Sequence, residues 1–252
     1  MGFANHVRRH SPRIWFFFKF LRYKYSKGER ELRLVRHLVQ DQKIAVDIGS
    51  SIGLYARELG KHAPKVLAFE ANPRVAAFAR SVARRNVEVI NVALSAADGQ
   101  RALRIPINRR NNPVDDLATI EARNSLQCGK TMTIDVATKR LDGYNLPSCG
   151  FIKIDVEGHE EAVLEGAKRV IEIHRPTLMI ELEDRHNPGI INRVTDRLSR
   201  SNYAIYFLSE GRLRPFAEFN RHHHQDINNF IFVPKESVPG GLTRFLVSRP
   251  QL

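Results

Sequence analysis

Short apolar runs alternate with segments of helical periodicity along most of the chain. In the segment 74–85 apolar residues recur at about the 3.6-residue period of an amphipathic helix, whereas the runs on either side are short and bounded by turn residues. We predict strands at 44–48, 66–69, 87–94, around 150–157, and at 177–183, 203–208 and 229–234, with helices at 52–62, 74–85, 159–173 and 188–200. Strands that are separated by helices predict a parallel sheet with right-handed crossovers.

Two stretches depart from this alternation. The first holds candidate strands at 102–107 and 131–136, joined by a polar loop at 108–125. It predicts an inserted hairpin with a mobile loop that could contact a substrate, or a plain surface loop. The second, 12–40, predicts two helices, and near the C-terminus Gly211 predicts a hairpin turn.

The turn after the first strand carries the most specific pattern. The apolar run of the strand ends in Asp47, and Gly49 and Gly53 follow within six positions. Gly49 would permit a tight turn and the close approach of a ligand to the backbone, and Ser50 could cap the next helix. This pattern predicts a small-molecule cradle at the carboxyl edge of an α/β sheet.

The acidic residues narrow the choice of ligand. A dinucleotide site requires the pattern G-x-G-x-x-G, because a pyrophosphate must lie against bare backbone at the helix N-terminus. Here Asp47 stands where the first glycine would be, Ser51 breaks the spacing, and a carboxylate would repel the phosphates. Asp47 suits a ligand with positive charge or hydroxyl donors, and S-adenosylmethionine has both. Glu70 follows 23 residues later at the end of the second strand. It could accept both ribose hydroxyls of a nucleoside, or simply stabilise the start of the next helix.

Further carboxylates stand where the fourth and fifth strands should end. Asp155, Glu157 and Glu181 would converge at one sheet edge, since parallel strands end together. They are candidates for a general base acting on a hydroxyl, for ligands of a divalent cation, or for structural hydrogen bonding. His159 is a second candidate base, because an unperturbed imidazole titrates near neutral pH.

Charge adds a separate feature. The net charge is +13, and residues 1–43 carry eleven Lys and Arg against three acids, which is +8 of that total. Seven aromatic residues are interleaved at 15–25. One interpretation is a basic helix lying on an anionic membrane through residues 13–36. The other is a pair of helices covering one edge of the domain, with five apolar side chains inward: Leu32, Leu34, Val35, Leu38 and Val39.

Cysteine and histidine indicate no metal centre. The two cysteines match neither ligand nor disulfide spacing, which fits a reducing compartment. We expect a cytoplasmic protein, with peripheral contact at the inner membrane face as a further possibility. His222-His223-His224 with Asp226 could bind a metal, but no second cluster stands at ligand spacing. An acceptor-side loop is favoured, and no metal is predicted.

Four motifs together resemble the FkbM family of methyltransferases. They are Asp47-Ile-Gly-Ser-Ser-Ile-Gly53, Phe69-Glu-Ala-Asn-Pro73, Asn91-Val-Ala-Leu-Ser95 and Ile152-Lys-Ile-Asp-Val-Glu-Gly-His-Glu160. The resemblance covers about residues 40–234 and implies a seven-stranded Rossmann-like class I methyltransferase sheet whose last strand is antiparallel. It also implies S-adenosylmethionine as methyl donor and O-methylation of a sugar, glycolipid or natural-product hydroxyl.

The resemblance also implies roles for individual residues. Asp47, Gly49 and Gly53, with Ser50 in the same turn, would hold the methionine part of the cofactor, and Glu70 the ribose. Asn72 and Ala93 would lie near ribose and adenine. Asp155 and Glu157 would face the methyl group and the acceptor. The family pattern does not include the basic N-terminus.

Three segments are therefore expected. They are a basic, aromatic helical extension (1–43), a methyltransferase domain (44–236) and a tail (237–252). We expect a small-molecule or glycan acceptor. Two alternatives stay open: methylation of RNA, prompted by the charge although most of it lies outside the predicted site, and a membrane-docked domain without catalysis.

Overall fold

The chain forms eleven strands and seven α-helices within the described residues. The computed structural model of the protein describes residues 10–122, 124, 126, 130–237, 242 and 245. The strands are β1 (Ala45–Ile48), β2 (Val66–Phe69), β3 (Val87–Ile90), β4 (Ala93–Leu94), β5 (Gly99–Ile107), β6 (Lys130–Lys139), β7 (Phe151–Ile154), β8 (Thr177–Glu181), β9 (Tyr203–Ser209), β10 (Arg212–Pro215) and β11 (Asn229–Pro234). The α-helices are α1 (Pro12–Arg22), α2 (Val35–Leu38), α3 (Leu54–Leu59), α4 (Pro73–Val82), α5 (Glu160–Gly166), α6 (Lys168–His174) and α7 (Ile190–Arg200). The predicted tail, 237–252, lies almost wholly outside the described residues.

The main sheet has the strand order β10-β9-β11-β8-β7-β1-β2-β3. Strands β3, β2, β1, β7 and β8 pair in parallel, and β11 is antiparallel to both β8 and β9. The predicted α/β class, with a mostly parallel sheet and an antiparallel last strand, is confirmed. The order reverses between β1 and β7, and such a reversal is where ligands bind in open α/β sheets.

The number of strands was predicted wrongly, because the sheet has eight and not seven. The additional strand is β10, which pairs with β9 at the sheet edge. Glu210 and Gly211 both have positive φ, 52° and 79°. A two-residue hairpin turn requires this conformation, so the chain returns directly along β9.

The predicted third strand, 87–94, is in fact two strands in different sheets. Asn91 interrupts it, since its side-chain amide donates to the carbonyls of Glu70 (2.8 Å) and Ala71 (2.9 Å). The chain leaves the main sheet there, and β4 pairs in parallel with β6. The side chain of Asn91 thus ties this exit to the end of β2.

The inserted hairpin is present as predicted. Strands β5 and β6 pair antiparallel along their whole length, and with β4 they form a second, three-stranded sheet. Part of the connecting loop folds back onto β5, because Arg104 and Thr119 exchange backbone hydrogen bonds of 2.9 and 3.0 Å. This return holds residues 115–120 close to the main sheet.

The predicted helix 159–173 is divided at Ala167. Asp142 accepts hydrogen bonds from the backbone N–H groups of Arg169 and Val170, both 3.0 Å. A carboxylate in that position caps unpaired N–H groups at a helix start. Asp142 therefore makes α6 a helix of its own.

Apolar side chains cover both faces of the main sheet. On one face Val46, Ile48 and Ile154 belong to a core that includes α5, α6 and α7. On the other face Phe151 and Met179 belong to a core shared with α3, α4 and the N-terminal segment. Residues 12–39 are thus part of the packed structure.

The N-terminal segment is one helix followed by short turns. Helix α1 continues as a π-turn (Tyr23–Lys27), and a 3-10 turn (Arg30–Arg33) leads to the four-residue α2. The second predicted helix is therefore much shorter than expected. The five apolar residues from Leu32 to Val39 are all buried, as the edge-covering interpretation expects. Among the described residues, no helix has the length and apolarity that crossing a bilayer would require.

Candidate active site

A cavity of about 400 Å³ opens at the carboxyl ends of β2, β1, β7 and β8. Nine of the eleven residues predicted for the site line it: Asp47, Gly49, Ser50, Glu70, Ala93, Asp155, Glu157, His159 and Glu181. Gly53 and Asn72 do not. The insertion and the N-terminal segment supply further walls, so the cavity draws on parts of the chain that are far apart in sequence.

Gly49 brings β1 and β7 together. Its φ is 75°, and a Cβ at this position would lie 1.7 Å from the backbone oxygen of Asp155. Its N–H donates to Phe69 O over 3.0 Å, which also ties the turn to β2. Only glycine fits here, since both the conformation and the space exclude a side chain.

Glu70 is held by backbone donors. Its two carboxylate oxygens accept from Ser51 N (2.9 Å) and Asn72 N (2.8 Å). Burial raises the pKa of Glu70 to about 7, although these two bonds oppose the shift. Each oxygen keeps further acceptor capacity, so Glu70 could still accept hydroxyl hydrogen bonds from a ligand.

Asn72 and Gly53 support the cradle from outside the cavity. The Asn72 side chain accepts from Arg74 N (3.1 Å) as the N-cap of α4 and donates to Asp115 (3.0 Å). Gly53 stands before α3 with φ 90°. The structure places both in the turns that position Glu70 and Ser50, and their predicted contact with a cofactor stays a prediction.

Two buried polar atoms in the cavity await a partner. Asp47 is 1% and Ser50 5% exposed. Within the part of the chain that the structure describes, neither Asp47 Oδ2 nor Ser50 Oγ has a hydrogen-bond partner. Burial raises the pKa of Asp47 to about 6, and Lys153 opposes the shift. A buried carboxylate oxygen without a partner is costly, and a cationic, hydroxyl-bearing ligand would relieve that cost. The residues present therefore fit S-adenosylmethionine.

Lys153 stands at the centre of the acidic part of the cavity. It is opposite Asp47 in the β1–β7 register and 2% exposed, and its Nζ lies 2.8 Å from Asp155 Oδ2. Burial alone would lower the pKa of Lys153, but Asp155, Glu29 and other carboxylates outweigh burial and raise it. Lys153 is thus a permanent cation among several acids.

Glu181, beside Asp155, has a strongly raised pKa. Burial raises the pKa of Glu181 well above its usual range, and the charge of Asp155 raises it further. Glu181 follows Ile180, which is opposite Ile154 in the β7–β8 register, so Glu181 and Asp155 are neighbours at the sheet edge. Asp155 is paired with Lys153, whereas its neighbour Glu181 is held protonated.

The N-terminal segment contributes residues that the sequence did not reveal. Lys19, Tyr23 and Glu29 all line the cavity. The Glu29 carboxylate accepts hydrogen bonds from Tyr23 OH, from Tyr55 OH (2.6 Å) and from Asn229 Nδ2 (3.2 Å). No motif marks Glu29, because two of its three partners, Tyr55 and Asn229, are distant in sequence.

His159 is fully engaged on both ring nitrogens. Its Nε2 lies 2.9 Å from Ser95 Oγ, and its Nδ1 lies 2.9 Å from Glu121 Oε2. Burial lowers the pKa of His159, although Glu121 opposes the shift. Ser95 is 1% exposed and does not line the cavity. Ser95, His159 and Glu121 are connected in the same order as the serine, histidine and acid of a hydrolase triad. Here these contacts join the insertion to the turn between β7 and α5.

Glu157 and the histidine tract are placed less favourably for catalysis. Glu157 Oε2 lies 2.8 Å from His186 Nε2, although the pair does not have hydrogen-bond geometry. The segment His222–Asp226 does not line the cavity. Among the described residues no group of His, Cys, Asp or Glu is arranged to hold a metal ion.

Fold and site together define an S-adenosylmethionine methyltransferase of class I. The Methyltransferase FkbM domain model matches residues 47–210. The chain belongs to this family of methyltransferases, and S-adenosylmethionine, the cofactor predicted from the sequence, is confirmed.

The chain is similar to several solved structures. A methyltransferase FkbM from Methylobacillus flagellatus has a TM-score of 0.50 at 17% identity, over 91% of this chain and 60% of that protein. An rRNA methylase from Streptococcus thermophilus scores 0.42 at 13% identity, covering 81% and 92% of the two chains. A precorrin-6y C5,15-methyltransferase from Geobacter metallireducens scores 0.43 at 14% identity, covering 83% and 88%. No curated protein matches the sequence.

Proposed function

We propose that the protein transfers the methyl group of S-adenosylmethionine to a hydroxyl oxygen of a sugar, glycolipid or natural product. The observation that carries this proposal is the excess of carboxylates around one buried lysine. Glu29, Asp155 and Glu181 face the cavity with Lys153 between them. Carboxylates accept hydrogen bonds from hydroxyl groups, so this wall suits a polyhydroxylated acceptor.

The cavity would be divided between two ligands. Asp47, Ser50 and Glu70 would hold the cofactor, which when bound supplies an electrophilic methyl group on a sulfonium. The acidic wall formed by β7, β8 and the N-terminal segment would hold the acceptor beside it. Most of the rate enhancement would then come from holding the two reactants in position.

Glu181 is the residue we assign as general base. A base is most effective when its pKa lies near the working pH rather than far below it, and burial together with Asp155 raises the pKa of Glu181 from its usual acidic range. Lys153 Nζ lies 2.8 Å from Asp155 Oδ2, and the charge on Asp155 raises the pKa of Glu181 and so strengthens Glu181 as a base. The ionised Glu181 would take the proton of the acceptor hydroxyl as the oxygen is methylated.

RNA fits this cavity less well than a neutral acceptor. The acids of the wall would repel a phosphate backbone. The arginines that line a groove beside α1 (Arg13, Arg57, Arg84 and Arg85) are not part of the cavity lining. A domain without catalysis is also disfavoured, because the buried side-chain oxygens of Asp47 and Ser50 that have no hydrogen-bond partner in the described structure indicate a ligand site.

Two variants test the proposal with a radiolabelled methyl donor and a panel of sugars, glycolipids and natural products. Asp47→Asn is expected to weaken cofactor binding in calorimetry. Glu181→Gln is expected to leave cofactor binding intact and to lower kcat roughly 100-fold or more, in line with the loss of a general base. The rate of the wild-type enzyme should rise with pH above neutrality as Glu181 loses its proton, and the variant should lack this rise.

Asp155→Asn separates the assigned roles. Without the neighbouring charge the pKa of Glu181 should fall, so the rising part of the pH–rate profile should move to lower pH. Methyl transfer exclusively to nitrogen or to RNA would overturn the proposal, as would a Glu181→Gln enzyme with an unchanged profile.

A further inference from the structure

Helix α1 is apolar on both its inner and its outer side. Phe16 and Phe20 point inward and are 1% and 3% exposed, whereas Ile14 and Phe18 are 56% and 65% exposed. Successive helical residues are about 100° apart, which places Phe18 almost opposite the buried pair. A helix that is apolar all round normally has partners all round. Within the described structure, α1 has them on one side.

The exposed residues form a local cluster. Six large apolar residues of the described chain are exposed, and four of them lie on α1 and its π-turn: Ile14, Phe17, Phe18 and Tyr25. The rings of Phe17 and Phe18 are 5.8 Å apart. Clustered exposure of this kind marks an interaction surface, whereas scattered apolar residues do not.

Arginines surround this cluster on one side. A groove beside α1 is lined by Ile14 and Phe17 and by four arginines from three elements: Arg13, Arg57, Arg84 and Arg85. None of the four forms an ion pair with a carboxylate in the described part of the chain. Burial lowers the pKa of Arg57 and the nearby charge of Arg84 lowers it further, so Arg57 and Arg84 repel each other. An anionic partner would remove that repulsion.

We propose that this basic apolar surface (Ile14, Phe17, Phe18 and the four arginines) docks on the headgroups of an anionic lipid bilayer. Aromatic and aliphatic side chains would enter the boundary between headgroups and acyl chains, and arginines would pair with lipid phosphates. A two-fold dimer through the same face would bring the four arginines towards their own copies. That repulsion favours the membrane over a second copy of the chain.

The test uses the full chain and sedimentation with phosphatidylcholine vesicles, with or without phosphatidylserine. Wild-type protein is expected to bind the anionic vesicles, less so at high salt, and to bind pure phosphatidylcholine weakly. Arg84→Ser with Arg85→Ser should weaken binding by roughly fivefold per arginine and flatten its salt dependence. Phe18→Ser should weaken binding and leave the salt dependence in place.

Matched controls exist elsewhere on the surface. Ile173 is 65% exposed, as Phe18 is, and Arg200 and Arg212 are exposed. Ile173→Ser, and Arg200→Ser with Arg212→Ser, should leave vesicle binding unchanged. Thermal unfolding and cofactor calorimetry show whether each variant is folded.

Three results would overturn the proposal. They are equal vesicle binding by the surface and control variants, tighter binding of an RNA oligonucleotide than of anionic vesicles through the same arginines, and a dimer that Phe18→Ser dissociates. Methyl transfer in solution does not depend on docking, so the proposed activity stands or falls separately.

Discussion

At the scale of single residues, Gly49 and Asp47 set the geometry of the cofactor end. Gly49 allows the β1–α3 turn to touch the backbone of Asp155, and Asp47 presents an unpartnered buried oxygen beside it. Glu70, whose carboxylate accepts hydrogen bonds from two backbone N–H groups, completes the same cradle. Asp47 and Gly49 lie at the carboxyl end of β1, and Glu70 directly follows β2.

Gly49→Ala is predicted to destabilise the protein and weaken cofactor binding. The added Cβ would meet Asp155 O at 1.7 Å, and φ of 75° is unfavourable for alanine. The free energy of unfolding should fall by roughly 2 kcal/mol or more, as measured by chemical denaturation. Gly211→Ala is the matched control, since φ is 79° and nothing lies within 4 Å of its Cβ. If both variants lose the same stability, contact with Asp155 is not the cause.

At the scale of elements, the N-terminal segment and the insertion close the cavity from two sides. Asp115 binds Asn72 and Arg74, and Asp116 accepts from Ser51 Oγ over 3.1 Å, so the insertion adjoins the cradle. Glu29 ties the N-terminal segment to α3 and β11. The sheet supplies the floor of the cavity, and these two elements supply its walls.

Glu29→Gln is predicted to affect the acceptor more than the cofactor. The variant loses the charge that receives three hydrogen bonds, so the free energy of unfolding should fall by about 1–3 kcal/mol. KM for the acceptor should rise, while the Kd of S-adenosylmethionine from calorimetry should change little. Glu165→Gln, which breaks an exposed ion pair with Arg197, is the control and should have little effect on either. An unchanged acceptor KM in Glu29→Gln would show that the segment is structural only.

At the scale of the whole molecule, the buried acids make stability depend on pH in an unusual direction. Burial raises the pKa of Glu31, Glu70 and Glu160 to about 7. The folded state then binds more protons than the unfolded chain between pH 4.5 and 7. The contribution of each acid is complete below its unfolded pKa and is lost as pH rises through its folded pKa.

Glu160→Gln is predicted to gain stability relative to the wild type as pH rises from 5 to 8. Glu160 is 2% exposed, and its Oε2 has no partner in the described structure, so its ionisation costs about 3 kcal/mol over this range. Glu58→Gln should change little relative to the wild type over the same range, because the contribution of an acid with a lowered pKa is already complete above its unfolded pKa of 4.5. Burial raises the pKa of Glu58, but hydrogen bonds from Lys24 and Lys61 prevail and lower it. Denaturation at both pH values measures the difference, and equal shifts in the two variants would contradict it.

Local patterns predicted much of the sheet and the cofactor end of the site. A strand, the acid near its end and the following glycine turn are contiguous in sequence, so the roles of Asp47 and Gly49 could be predicted from the local pattern. Glu29 could not, because one of its partners, Asn229, is 200 residues away. The strand break at Asn91 was missed for a similar reason, since it depends on side-chain hydrogen bonds to β2 rather than on hydrophobic periodicity.

The position of β11 has a consequence for any shortened form of the protein. The family match ends at residue 210, yet β11 lies between β8 and β9 in the sheet. A protein cut to 47–210 would lack β11, the strand that pairs with both β8 and β9, and it would also lack Tyr23 and Glu29. The segment that identifies the family is therefore not a folding unit. Transplanting acceptor specificity between relatives should exchange both flanking regions together.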